Sequence, residues 1–236
     1  MTTESIQPIE AETEPSSAMA RRGILAAAAG ASAAAVLALK GGVASASSRP
    51  SPSQEAPSES DLATAGVAAG LEVLAVNTYG AALDAATSGA LGAVPPAVAE
   101  YVTTAQAHHQ AALDAWNGVL TANGRPAVTE PPADLATTVN DQFAMVTDIA
   151  GAAQLALGLE QIAAATYLAV LGTLQAPAAI ELAGSIQPID RQHISVLLFA
   201  LGMYPVPETF APTDIAYSGS GAPAPGAMPG AMPETS

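Results

Sequence analysis

The 236-residue chain has no cysteine. That excludes disulfides, thiolate metal sites, a cysteine nucleophile and a lipid-modified cysteine at a signal cleavage point. Any metal must be held by nitrogen and oxygen donors. Basic residues are almost as scarce, six Lys and Arg against 21 acids, for a formal net charge of -15. A chain so poor in cations cannot neutralise a phosphate backbone, so nucleic acid is excluded as a partner. Aromatics are only 4% of the residues, and Val and Ile do not alternate with polar residues. Strands are therefore not expected, and the abundant alanine favours helices packed closely through small side chains. Half of the residues are hydrophobic, enough for one medium-sized core. The expected class is all-α.

The N-terminal region reads as an export signal over residues 1–46. Arg21-Arg22 precedes an apolar run from Ile24 to Leu39, Lys40 follows, and Ala44-Ser45-Ala46 offers a small-residue cleavage site. The run is too short to span a bilayer comfortably. Arg21-Arg22-Gly23-Ile24-Leu25 resembles the twin-arginine motif, which implies export of an already folded protein. The expected location is the periplasm, the cell envelope or the medium, with the twin-arginine translocon as a partner during export. Residues 47–60 are dense in Ser, Pro and Glu and read as a linker. Residues 205–236, where Gly-Ala-Met-Pro occurs at 226–229 and again at 230–233, read as a flexible tail.

Between them, residues 61–204 carry the punctuation of a helical domain. Asp61 can cap a first helix that runs through Leu71, Leu74 and Leu83 to Ser88-Gly89. Pro95-Pro96 opens a second, which passes Leu113 and Trp116 and stops at Asn123-Gly124-Arg125-Pro126. A Pro-rich crossover, Glu130 to Ala133, leads to a short helix over 135–146. A long helix over 149–174 follows, and a last one from Pro177 to about Leu201-Gly202. The apolar helices are broken by Gly and Pro and carry Asp84, Glu100, Asp114 and Asp148, so they are read as parts of a soluble bundle.

An internal repeat organises these helices. Gly70-Leu71-Glu72 with Ala75, Thr78, Tyr79, Ala81 and Leu83 returns as Gly158-Leu159-Glu160 with Ala163, Thr166, Tyr167, Ala169 and Leu171. Each copy is followed by a helix with His four residues before Leu, at His109/Leu113 and His193/Leu197. The repeat unit is thus a helix pair, and two pairs form a four-helix bundle with a long crossover between them.

The same repeat places the polar residues. Glu72 and Glu160 each sit mid-helix in an apolar run, where an unpaired charge is costly. The three histidines, His108, His109 and His193, are all on the second and fourth long helices. Tyr79 and Tyr167 follow their glutamates by seven residues on nearly the same face. They are expected as core residues whose hydroxyls rest on a buried carboxylate, and Trp116 as plain core. His108 points about 100° away from His109 on an ideal helix and is expected at the surface. Arg191 is expected to pair with a surface acid.

This arrangement resembles the ferritin-like di-iron carboxylate proteins, especially the exported ferritin-like domains of bacteria. The resemblance covers roughly residues 61–202. It implies one Glu from each of two helices and a Glu-x-x-His from each of the other two. Glu72 and Glu160 match the single glutamates. Gln106-Ala107-His108-His109 and Asp190-Arg191-Gln192-His193 stand where the two Glu-x-x-His motifs belong. His109 and His193 therefore match as ligands, Asp190 is a shortened carboxylate, and Gln106 replaces a bridging glutamate with a weak neutral donor. Pro188 lies two residues before Asp190 and can kink that helix. The implied cofactor is iron or manganese, as one ion or two, held by Glu72, His109, Glu160, Asp190 and His193 with Gln106 as a marginal member and Tyr79 and Tyr167 behind them. The implied activity is ferroxidase or oxidase-type chemistry, in iron or oxidant handling at the envelope. The alternative is a metal-free polar layer, in which the Glu and His residues satisfy one another and the bundle is a scaffold for an envelope protein. A homodimer is the expected assembly, and a storage cage is disfavoured by the long tails and the missing bridging Glu.

Overall fold

The computed structural model describes residues 56–219, and among these all regular structure is helical. The expected signal, most of the expected linker and the end of the tail lie outside the described residues. Four long helices, α1 (Glu59–Thr87), α2 (Pro96–Ala122), α4 (Ile149–Leu171) and α5 (Pro177–Ala200), form two antiparallel-type hairpins, joined by a crossover that contains the short α3 (Ala133–Phe143). The helices pack densely within each hairpin, α1 on α2 and α4 on α5, while the hairpins meet each other at fewer points. This is the four-helix bundle with a long crossover that the repeat implied.

Most of the expected boundaries reappear, for the expected reasons. Pro96 and Pro177 occupy first helical positions, where a missing N–H costs nothing. Gly124 takes the left-handed conformation, φ 73°, that ends α2. Helix α4 stops three residues earlier than expected, at Leu171 with Gly172 as its cap. Helix α5 runs unbroken through Pro188.

The start of α1 corrects the expectation that Asp61 is its cap. Ser58 is the N-cap and Asp61 is the third helical residue, so the two form a reciprocal capping box. Asp61 is nevertheless buried. Its carboxylate accepts the backbone N–H groups of Ser58 (3.0 Å), Gln175 (2.9 Å) and Ala176 (3.1 Å), which ties α1 to the α4–α5 turn. Burial works to raise its pKa, but these donors outweigh it and hold the carboxyl below its ordinary range.

Residues 205–219 differ from the flexible tail that composition suggested. They contain no helix, yet Tyr217 is buried: its N–H donates to Thr166 Oγ1 (2.8 Å) and its hydroxyl to Asp134 Oδ1 (3.0 Å). Ile215 packs against the same core cluster, which includes Leu71, Leu155 and Tyr217, and Glu208 pairs with Arg191. Composition missed this because the few apolar residues that dock the segment are spread among Pro, Gly and Ser.

By length and hydropathy alone, α1 and α4 could each cross a membrane. In the bundle about half of each apolar stretch is buried against protein, 44% and 50%, and each of the two helices carries one of the buried glutamates.

Candidate metal centre

Glu72 on α1 and Glu160 on α4 face each other across the bundle, each 2% exposed. Between them lies the ring of His109 from α2. Its Nδ1 is 2.7 Å from Glu72 Oε2 and its Nε2 is 3.1 Å from Glu160 Oε1. Burial works against a charge on this ring. The two carboxylates, Glu160 foremost, overcome it and hold His109 well above the ordinary histidine range, so both ring nitrogens donate. Glu160 answers in the opposite sense. Burial alone would raise its pKa, but His109 and then His193 bring it down to about 2.

The tyrosines complete the layer crosswise. Tyr79 of α1 donates to Glu160 Oε1 at 2.5 Å, and Tyr167 of α4 donates to Glu72 Oε1 at 2.5 Å. Each tyrosine thus serves the glutamate of the other repeat. The reason is geometric: long helical side chains lean toward the N-terminus of their own helix, so a tyrosine two turns beyond its glutamate reaches back to the glutamate layer and meets the facing helix. Burial, then the neighbouring glutamate, pushes both phenols far above their ordinary range, so they remain donors. Trp116, fully buried, donates its indole N–H to Tyr167 at 2.8 Å. It is core, as expected, but core with a polar duty.

Asp190 and His193, both on α5, close the group. One ligand atom each from His109, Glu160, Asp190 and His193 lie within 4.8 Å of one another, and all four residues are buried. Burial, and then the charges of Glu160 and Glu72, push the Asp190 carboxyl well above its ordinary range. Glu72 is not in this group of four, and its oxygens meet His109 and Tyr167.

The four fit a cation on an observation independent of any resemblance. Glu160 Oε2, Asp190 Oδ2 and His193 Nδ1 are buried and find no hydrogen-bond partner in the protein. His193 Nδ1 is 3.1 Å from Glu160 Oε1, close enough for attraction but misaligned for a hydrogen bond. Three unsatisfied donor atoms in one small layer are costly, and a bound ion would satisfy them. Two imidazoles and two carboxylates suit iron, manganese or zinc.

The remaining candidates fall outside. Gln106 is half-buried and its amide N–H donates to the Val76 carbonyl at 3.1 Å, which braces α2 against α1. Gly80 leaves room for the brace, since a Cβ there would stand 3.0 Å from Gln106 Nε2. His108 is exposed, as expected, yet it is not an idle surface residue. Its Nδ1 lies 3.1 Å from His193 Nε2 and the two rings stack, with centroids 5.3 Å apart. Tyr101 was not singled out from sequence. Its hydroxyl is 3.2 Å from that of Tyr79 and it meets the His193 ring edge-on. The repeat hides it, because the second copy has Ser185 at the matching position.

Residues 60–203 match the family model described as the ferritin-like domain. The match spans well over half of the chain, so the protein belongs to the ferritin-like domain family. No match was found among curated proteins or among solved structures.

Proposed function

We propose that this ferritin-like bundle binds one non-haem metal ion, iron or manganese, through His109, Glu160, Asp190 and His193. The observation that carries the reading is the set of three buried, unsatisfied ligand atoms on Glu160, Asp190 and His193. Glu72 would orient His109 from behind, in the manner of carboxylate–histidine pairs that set a ligand's tautomer. Tyr79 would hold Glu160 by its Oε1 and leave Oε2 for the ion, while Tyr167 holds Glu72. A second ion is disfavoured because Gln106 supplies no charge and is tied to the α1 backbone. When bound, such an ion would supply redox chemistry toward ferrous iron, oxygen or peroxide. The chain's own residues do the rest: Tyr79 and Tyr167 hold the two glutamates, and the carboxylates keep the phenolic protons in place. Together with the twin-arginine-like sequence at Arg21-Arg22, this site supports a role in iron or oxidant handling at the cell envelope.

One observation favours a second reading. The Glu72–His109–Glu160 array, closed by two tyrosines, is nearly self-satisfied, as a metal-free scaffold would require. Metal analysis of the protein purified from its native host without chelator or affinity resin separates the two. One equivalent of iron or manganese, lost in Glu160→Gln and His193→Ala, supports the metal centre. No metal above background, even after anaerobic ferrous loading, overturns it and leaves the scaffold.

A further inference from the structure

The repeat that builds the bundle is broken at one large side chain, and the two ends of the fold are packed differently. In the half where α1 begins and α2 ends, Trp116 is wholly buried, with Leu120, Leu174 and a set of alanines packed around it. Measured from the histidines, the residue that corresponds to Trp116 in the second copy is Ala200. There the bundle is not filled. Ala200 lines a cavity of about 710 Å³, between the C-terminal half of α1, the first halves of α2 and α4, and the end of α5.

This volume is within the range of small-molecule sites, about 300–1,000 Å³. Its walls are aliphatic, with Leu71, Leu74, Leu83, Val98, Leu159 and Leu197 among them. Val196 and Phe199 also line it and remain 47% and 74% exposed, so the opening to solvent is apolar too. Polar groups gather where the cavity meets the buried layer, as Tyr79, Tyr101, His109 and Glu160. Two other polar residues border it: Thr78, whose hydroxyl is used by the Leu74 carbonyl, and Gln154, which is exposed. Among the described residues no Lys or Arg lines it, so an anionic group would enter without a counter-charge from them and would meet the Glu160 carboxylate at the far end.

We infer that this cavity is a binding site for a neutral, elongated apolar molecule: a hydrocarbon chain with at most an uncharged polar group, seated between the aliphatic walls and ending at Tyr79 and Tyr101. The site goes beyond the metal proposal and stands without it, since its aliphatic walls and opening belong to residues that hold no ion and only its inner end, at His109 and Glu160, borders the proposed ligands.

The test is fluorescence titration of the full-length chain with N-phenyl-1-naphthylamine, a neutral dye that brightens in apolar surroundings, run on chelator-treated and metal-loaded protein alike. Saturable binding at one site per chain is expected in both, with 1-decanol displacing the dye at least ten-fold more effectively than decanoate at neutral pH. Ala200→Trp, which restores the bulk found in the other half, and Ala86→Phe, a second filling change on α1, should each weaken dye binding ten-fold or more. Phe210→Ser, at an exposed aromatic that does not line the cavity, should leave it unchanged. The inference is overturned by any of four results: absence of saturable binding, decanoate competing as well as decanol, binding indifferent to both filling variants, or an equal loss in Phe210→Ser. Dye binding that appears only after residues 220–236 are deleted would also overturn it, by assigning the cavity to the chain's own C-terminal segment.

Discussion

Tyr167→Phe should destabilise the metal-free protein distinctly more than Tyr79→Phe, although the two tyrosines are repeat counterparts that make equally short bonds to equivalent glutamates. Each change deletes one hydroxyl and leaves the ring, so cavity effects are small. Loss of a hydrogen bond to a charged group costs about 1.5–3 kcal/mol, and both variants incur this. Tyr167 has a second duty, because its oxygen accepts the Trp116 indole N–H in a fully enclosed part of the core. Stranding that donor adds about 1–3 kcal/mol. The second partner of Tyr79 is the Tyr101 hydroxyl, beside the cavity, where water can take its place. The expected difference is about 2 kcal/mol, or roughly 4–8 °C in Tm for a domain of this size. Urea and thermal unfolding followed by circular dichroism would measure it. A Trp116→Phe, Tyr167→Phe double variant should lose less than the sum of the single losses, because the stranded donor is gone. Equal costs for Tyr167→Phe and Tyr79→Phe, or a larger cost for Tyr79→Phe, would refute this account of the two halves.

Three further outcomes are expected. Stability of the metal-free protein should peak at about pH 4–5, where the carboxyls of the unfolded chain have just ionised. Below that range it falls as Glu160, lowered to about 2 in the fold, takes up its proton. Above it the folded state holds protons on His109 and Asp190, both raised, that the unfolded chain has released, so stability falls as pH rises. Urea midpoints across pH 3–9 test this, and a midpoint that climbs steadily through pH 8 contradicts it. Gln106→Ala should leave metal content unchanged while lowering stability by about 1 kcal/mol through loss of the bond to Val76; loss of metal in a well-folded variant would restore Gln106 to the ligand set. Asp61→Ala should cost about 3 kcal/mol or more, since three backbone donors lose their acceptor at a buried junction. A denaturation midpoint within error of the parent would show that water replaces the carboxylate there.

What could be read from the sequence was whatever local chemistry marks. Pro96, Pro177 and Gly124 punctuate helices through their own backbone limits. The Glu-to-Tyr register repeats on two helices because one helical periodicity governs both. Four of the singled-out residues, His109, Glu160, Asp190 and His193, come together because that register sets their height along the bundle. What stayed hidden depends on the neighbouring helix. A seven-residue interval shows that Tyr79 shares a face with Glu72, but not that it bonds to Glu160. Asp61 reads equally well as a cap or as a clamp until the α4–α5 turn is seen beside it. The docking of Tyr217 depends on Thr166 and Asp134, far away in sequence. Tyr101, the partner of Tyr79, has no counterpart in the second repeat to draw attention to it.

The crosswise tyrosines also bear on how the chain acquires its shape. Tyr79 and Glu160 are 81 residues apart, Glu72 and Tyr167 are 95, and Asp61 reaches 115 residues ahead to Ala176. During synthesis the first hairpin emerges with Glu72 able to find His109 but neither Tyr167 nor the group that closes Asp61. Although the sequence is written as two copies, neither copy is a finished unit, and each lacks the donors that make its buried acids tolerable. Folding should therefore be all-or-none, delayed until the second hairpin is available, with a rate limited by these long-range closures more than by helix formation.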